Sequence, residues 1–248
     1  MLSLKNVSLR LNTEEREVTI LNGIDLNFER GKMYALTGPN GSGKSTLARL
    51  IMGIQNPTGG KVTFEGKDIT SMGLTERARM GFGYAFQHPA RFKGMRVLDL
   101  LEIAMRQGCD TECTCLRNIG LCPEEYLERP LDSSLSGGEM KRIEIATILA
   151  QDPRVRVFDE PEAGIDLWSF ERLISVIGAS HDRERITIII SHQEKILKMV
   201  DEIILIDNGK IKMQGDRDSI WGQIYESARC SCRENCKKEG ENYAECSR

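Results

Sequence analysis

In the stretch Gly38-Pro39-Asn40-Gly41-Ser42-Gly43-Lys44-Ser45-Thr46, every fixed position of the phosphate-cradling pattern G-x-x-x-x-G-K-[ST] is filled. An apolar run from Met33 to Thr37 leads in and a helix-like run from Leu47 to Met52 leads out, so the stretch has the strand, loop, helix setting the pattern requires. The glycines let the backbone wrap a polyphosphate without Cβ clashes, and the amide N–H groups and helix N-terminus then face the anion. Lys44 adds a point charge for the phosphates, and the Ser45 hydroxyl would complete the shell of a Mg²⁺.

At 248 residues with a net charge of −3, the chain can bury a sizeable core and lacks the basic footprint of a nucleic-acid binder. Met1 to Val7 alternates like a strand and has none of the parts of a signal peptide. No apolar run approaches the roughly 18 residues needed to span a bilayer. A cytoplasmic protein with no direct membrane insertion is expected.

Leu2 to Leu11 and Val18 to Phe28 read as an antiparallel flank joined through the polar stretch Asn12 to Glu17. Lys61 to Phe64 and Gly81 to Phe86 read as strands, Val97 to Gln107 as a one-sided helix, Pro123 to Leu127 as a short helix and Met140 to Ala150 as a strong one. Strand Val155 to Glu160, helix Leu167 to Ile177, strand Ile186 to Ile190 and helix Glu194 to Val200 then alternate, as in a mostly parallel sheet. Ile203 to Ile206 and Lys210 to Met213 flank Asp207-Asn208-Gly209 as a hairpin. The expected fold class is α/β, with a mostly parallel sheet core, an antiparallel β flank and a helical subdomain inserted over about residues 89–150. This domain covers 1–225, and a Cys-rich polar tail, 226–248, follows it.

Four further positions carry chemistry. Gln87 ends one strand, and Leu135-Ser136-Gly137-Gly138-Glu139 opens a helix. Asp159 and Glu160 end another strand, where a parallel sheet presents its ligand site, and His192 follows a third. In this order, over about residues 1–225, the chain resembles the ABC-family ATPases, a branch of the P-loop NTPases.

That resemblance implies ATP and Mg²⁺ as cofactors, with Gly38 to Thr46 and Asp166 at the nucleotide. Ser45, Gln87 and Asp159 would serve the metal, Asp159 through a water. Glu160 would take a proton from the attacking water as general base. His192 would contact the γ-phosphate beside Lys44, and Gln87 would report occupancy to a partner. Ser136 and Gly138 at a helix start form an anion site. In the family, Leu135 to Glu139 serves the nucleotide of another protomer, which implies an ATP-dependent homodimer of C₂ symmetry.

Two departures narrow the resemblance. Many transporter ATPases place an aromatic near Leu11 to stack on adenine, and none stands there, leaving weaker apolar contact. Importer ATPases commonly read Asp-Glu-Pro-Thr-Ser-Ala-Leu-Asp, whereas Asp159 to Asp166 here reads Asp-Glu-Pro-Glu-Ala-Gly-Ile-Asp. That segment is similar to the SufC branch, the ATPases of the SUF iron–sulfur assembly system, as are Ala85 to Pro89, Ser136 to Arg142 and Ser191 to Leu197. The branch implies a SufB/SufD-like scaffold protein as partner, its conformational change driven by ATP hydrolysis. The alternative is the nucleotide-binding subunit of an ABC membrane transporter, which shares every catalytic residue. Chromosome and repair ATPases carry a long coiled coil for which Lys44 to Ser136 is too short.

Cysteines form two groups, Cys109, Cys113, Cys115, Cys122 and Cys230, Cys232, Cys236, Cys246. Close thiolates hold Zn²⁺ or an iron–sulfur cluster, but these spacings match no standard ligand pattern, so bound metal and free thiols both stand as readings.

Overall fold

Period-two alternation along the central strands sends neighbouring side chains into two separate cores, and the layering follows from that division. The computed structural model describes residues 1–12, 17–105 and 111–228. The elements open with β1 (Leu2–Asn12), β2 (Glu17–Phe28), β3 (Lys32–Thr37), α1 (Lys44–Ile51), β4 (Gly59–Phe64), β5 (Lys67–Asp68), α2 (Leu74–Arg79) and β6 (Phe82–Ala85). The inserted helices are α3 (Val97–Ala104), α4 (Glu112–Asn118) and α5 (Pro123–Tyr126), followed by α6 (Gly137–Gln151). The chain returns to the sheet with β7 (Val155–Asp159), α7 (Leu167–Ala179), β8 (Ile186–Ile190), α8 (Glu194–Met199), β9 (Glu202–Asp207), β10 (Lys210–Asp216) and α9 (Arg217–Ala228).

Two sheets result. The antiparallel flank has the order β2-β1-β4-β5, and the other sheet is six-stranded, in the order β10-β9-β3-β8-β7-β6. Within the second, β9, β3, β8, β7 and β6 run parallel, and only β10 pairs antiparallel. Tyr34, Leu36, Val157 and Ile188 face a core shared with α1 and the antiparallel sheet. Met33, Ala35, Phe158 and Ile189 face the opposite core, built on α3, α6, α7 and α8. Strands buried on both faces are what parallel topology requires.

Register then fixes where the ligand edge lies. Leu36 and Asp159 both pair with Ile190, and Ala85 pairs with Phe158. Residues just past these strands, Gly38, Gln87, Glu160 and His192, therefore emerge along one carboxyl-terminal edge, with β3 in the middle.

The expected strands and long helices are present, with differences at short elements. Helix α3 stops at Ala104, because Met105 is extended (φ −67°, ψ 132°). Arg106 and Gln107 lie outside the described residues. Strand β5 and helices α2, α4 and α9 stand outside the expected elements; β5, α2 and α4 are too short to show a period. Helix α2 exists to deliver Arg77, fully buried, whose guanidinium donates to the carbonyls of Leu50, Ile51, Ile69 and Met72 and so caps the end of α1. Helix α4 is capped by Thr111 and buries Leu116. Helix α9 continues across the position where the tail was expected to begin.

Candidate functional site

The loop from Gly38 to Gly43 holds its shape because β3 hands it over beside β9. A Cβ on Gly38 would lie 1.9 Å from the Ile206 carbonyl oxygen, at φ 137°, so only glycine fits. Helix α1 starts at Lys44 with no acidic residue in its first turn, leaving its first amides and positive dipole end free for an anion. Lys44 Nζ donates to the carbonyls of Gly38 (2.7 Å) and Pro39 (2.8 Å), curled along the loop. Burial holds its ammonium below the usual lysine range, opposed by the charges of Glu160 and Asp159.

Asp159, 1% exposed, is fixed by two donors: Tyr84 Oη at 2.7 Å and Ser45 Oγ at 3.2 Å. Burial beside that carboxylate pushes the Tyr84 phenol far up, so it stays a donor. Ser45 hydroxyl and Asp159 carboxylate are hard oxygen donors within one coordination sphere of each other, a set that suits Mg²⁺. Gln87 lines the same cavity as Ser45, and its Nε2 donates to Glu160 Oε2 at 2.6 Å.

Glu160 has φ 46°, a left-handed conformation that a β-carbon resists and that here turns its carboxylate out of the strand line. Its N–H donates to the Ile190 carbonyl at 3.0 Å, and its own carbonyl accepts from Ala163 N–H at 3.0 Å. His192 Nδ1 lies 3.4 Å from Thr37 Oγ1, and desolvation with the nearby Lys44 charge lowers its pKa, favouring neutral imidazole.

Lys44, Ser45, Gln87 and Glu160 share one cavity of about 430 Å³, lined also by Ile20, Asn40, Gly41, Gly43 and Thr46; Asp159, Tyr84 and His192 are not in its lining. That size suits a small-molecule ligand. Ile20, not the region of Leu11, supplies its apolar wall; Leu11 is 44% exposed on the flank. A larger hollow of about 570 Å³ lies between α7 and α8 and contains none of the phosphate-loop residues.

None of Leu135 to Glu139 lines the loop's cavity. They open α6, where Ser136 and Glu139 form a capping box: Ser136 Oγ accepts from Glu139 N–H (3.2 Å) and Glu139 Oε2 from Ser136 N–H (2.7 Å). Gly138 is there for close approach, since its Cβ would meet the Gly164 carbonyl oxygen at 2.7 Å. Asp166 caps α7 through Ser169 N–H (3.0 Å) and does not line the cavity either. The Asp-Glu-Pro-Glu segment turns inward: Glu162 Oε1 accepts from Ser191 Oγ at 2.5 Å, and burial raises its pKa.

Sequence reasoning missed three participants. Tyr84 was signalled only by an aromatic in a short strand, and its partnership with Asp159 depends on β6 lying beside β7. Lys141, noticed only within the Ser136 to Arg142 resemblance, and Glu144, in a helix read for its periodicity, both reach the main chain of Phe86.

Of the cysteines, Cys113 and Cys115 are half-buried and Cys122 is exposed, its thiol donating to Glu124. Cys109, Cys230, Cys232, Cys236 and Cys246 lie outside the described residues. Among the described residues, no three His, Cys, Asp or Glu side chains are grouped to hold a metal ion, and no helix is long and apolar enough to cross a membrane.

A family profile described as ABC transporter matches residues 21–163. The chain is 39% identical over 223 residues to an uncharacterized ABC transporter ATP-binding protein of Methanocaldococcus jannaschii, covering 86% of this chain and 89% of that one. It is 34% identical over 211 residues to the sulfate/thiosulfate import ATP-binding protein CysA of Neisseria meningitidis, covering 81% of this chain but only 58% of CysA. In three dimensions it is similar to a dimeric ATP-binding cassette in a post-hydrolysis state with ADP and Pi. That match has a TM-score of 0.78 at 24% identity and covers 88% of this chain and 99% of the cassette.

Proposed function

We propose, from the premise that this chain belongs to the ABC transporter family as an ABC-type ATPase, that it is the ATP-hydrolysing subunit of a two-chain motor driving a membrane transporter. The observation that carries the two-chain reading is the separation of Leu135–Glu139 from the cavity of its own phosphate loop. A helix start with an anion-binding character and no anion site of its own chain to serve is completed by a second copy.

In that dimer each residue has a bounded task. Phosphoryl transfer needs positioning and charge stabilisation more than covalent chemistry. The loop amides and Lys44 hold and neutralise the phosphates, and Ser45 and Asp159 would hold Mg²⁺, whose charge would offset that on the phosphate oxygens. Glu160 orients the attacking water and takes its proton at Oε1, since Oε2 is engaged by Gln87. His192, kept neutral, accepts or donates at the γ-phosphate edge next to Thr37. Ile20 offers apolar contact to the base.

The transporter role is supported by the names of the relatives, CysA among them. A second reading, a soluble SufB/SufD-like scaffold as partner, rests on Glu162-Ala163-Gly164, whose half-buried Glu162 accepts a hydrogen bond from Ser191 where importers commonly carry Thr-Ser-Ala. Zn²⁺ or an iron–sulfur cluster on the cysteines belongs to that second reading. One experiment separates them: purification without oxygen, with co-purifying proteins identified and bound iron and zinc measured. A membrane permease carries the first reading, and a soluble scaffold with no permease overturns it. Sedimentation of the Glu160→Gln variant with and without MgATP tests the dimer, and a monomer under both conditions sinks it.

A further inference from the structure

Strand β6 ends at Ala85, so the amide and carbonyl of Phe86 have lost the ladder that satisfied their predecessors. Helix α6 supplies both. Glu144 Oε1 accepts from Phe86 N–H at 3.1 Å, and Lys141 Nζ donates to the Phe86 carbonyl. The same ammonium donates to the Asp159 carbonyl at 3.0 Å. Lys141 thus bridges the two main-chain positions that immediately precede Gln87 and Glu160, the side chains that meet at 2.6 Å.

The arrangement is an unusual use of charge. Lys141 is 1% exposed, and its Nζ lies 3.9 Å from Glu144 Oε2, which is buried without a hydrogen-bond partner. A buried ion pair seldom stabilises more than apolar residues of the same volume would, so its presence is better explained by what it holds in place. What it holds is joined to one end of a continuous rod: helix α6 runs from Gly137 to Gln151, its start capped by Ser136 and Glu139.

We propose that Lys141 and Glu144 are a positioning pair, a two-point clamp through which the signature end of α6 sets the spacing of Gln87 and Glu160. Engagement of Ser136 and Gly138 by the neighbouring nucleotide then tilts α6, and the tilt is delivered to the catalytic carboxylate through Phe86 and Asp159. This inference rests on the two-chain ATPase reading above.

The test uses the full chain and the variants E144L, E144Q and K141M/E144L. In E144L, kcat falls about tenfold or more while MgATP affinity stays within about threefold, the split expected of a residue acting on the reacting geometry. E144Q retains an acceptor for Phe86 N–H and restores kcat to within about threefold. In a double-mutant cycle, Q87A/E144L is no slower than Q87A alone, within about twofold, because Gln87 is the route. Losses that multiply in that cycle, or an unchanged kcat in E144L, overturn the clamp. Should E144L fail to fold, K141M/E144L, which buries no lone charge, is measured instead, and a normal kcat there overturns the proposal.

Amide exchange followed by NMR provides a readout independent of turnover. Phe86 N–H exchanges about tenfold or more faster in E144L than in wild type, with Tyr84 N–H unaffected and E144Q behaving as wild type. Equal Phe86 protection in E144L and wild type overturns the clamp. Absence of any MgATP hydrolysis by the wild-type dimer would strike the ATPase reading instead, leaving exchange at Phe86 to decide the clamp.

Discussion

The side-chain amide of Gln87 donates to Glu160 Oε2 at 2.6 Å, so the residue expected to sense the nucleotide restrains the residue expected to deprotonate the water. Replacing Glu160 by glutamine preserves the pairing of the two side chains but removes the base. Glu160→Gln is expected to hold ATP with near-native affinity and to lose about 100-fold or more in phosphate release. Titration calorimetry and steady-state hydrolysis check the two halves, and turnover near the native rate would remove Glu160 from its role.

Tyr84 offers a second entry to the same site. Tyr84→Phe deletes the Oη donor at 2.7 Å from the buried Asp159 Oδ2 and leaves that oxygen without a donor from β6. An unsatisfied buried acceptor costs about 1–3 kcal/mol, so the urea midpoint should fall accordingly without added Mg²⁺. The deficit should shrink as Mg²⁺ and ATP are titrated in, since ligands bound to the native state stabilise it by mass action. An unchanged midpoint would show that the contact contributes nothing.

At the signature, the close approach of Gly138 to Gly164 leaves no room for a methyl group, with a projected contact of 2.7 Å to a carbonyl oxygen. Gly138→Ala should destabilise by about 1–3 kcal/mol through overpacking. It should also shift the Gly164 segment enough to abolish the MgATP-dependent dimer in the Glu160→Gln background. Urea unfolding and sedimentation measure these effects, and a native-like dimer in the variant would contradict the geometry.

Glu144 makes stability depend on pH. Burial pushes its carboxyl up to about 7, opposed by Lys141 Nζ at 3.9 Å and the Phe86 N–H, with Asp159 adding repulsion. The folded state therefore keeps a proton that the unfolded chain releases near the ordinary glutamate value. Stability from this group is full below that ordinary value and is lost as pH rises through about 7. Unfolding midpoints from about pH 5 to about pH 8 should decline more steeply in wild type than in Glu144→Gln. Parallel slopes would exclude the effect.

Much of the site was legible because its residues sit at strand ends and helix starts, which local pattern marks well. Asp159-Glu160 after four strand residues and Lys44-Ser45 after a glycine loop needed no partner to be recognised. Tyr84, Lys141 and Glu144 carried no such mark. Each acts on an atom far away along the chain, Asp159 in one case and the Phe86 main chain in the others, and no window of sequence contains both ends. Similarly, the cavity's apolar lining comes from Ile20 on β2 and not from the region of Leu11, a placement that depends on how β2 lies over the loop.

What the amino-acid order determined alone was the local chemistry: a glycine-rich anion loop, apolar strands of period two, and a helix opening at Leu135 to Glu139. These depend on neighbours a few bonds away, where torsional preference and short-range hydrogen bonding dominate. Only the tertiary structure decided which strand lies beside which, and with it that Gln87 meets Glu160, that Tyr84 secures Asp159, and that the signature helix misses its own chain's cavity. Those outcomes rest on burial of two cores against one sheet, a cooperative balance of packing across the whole chain.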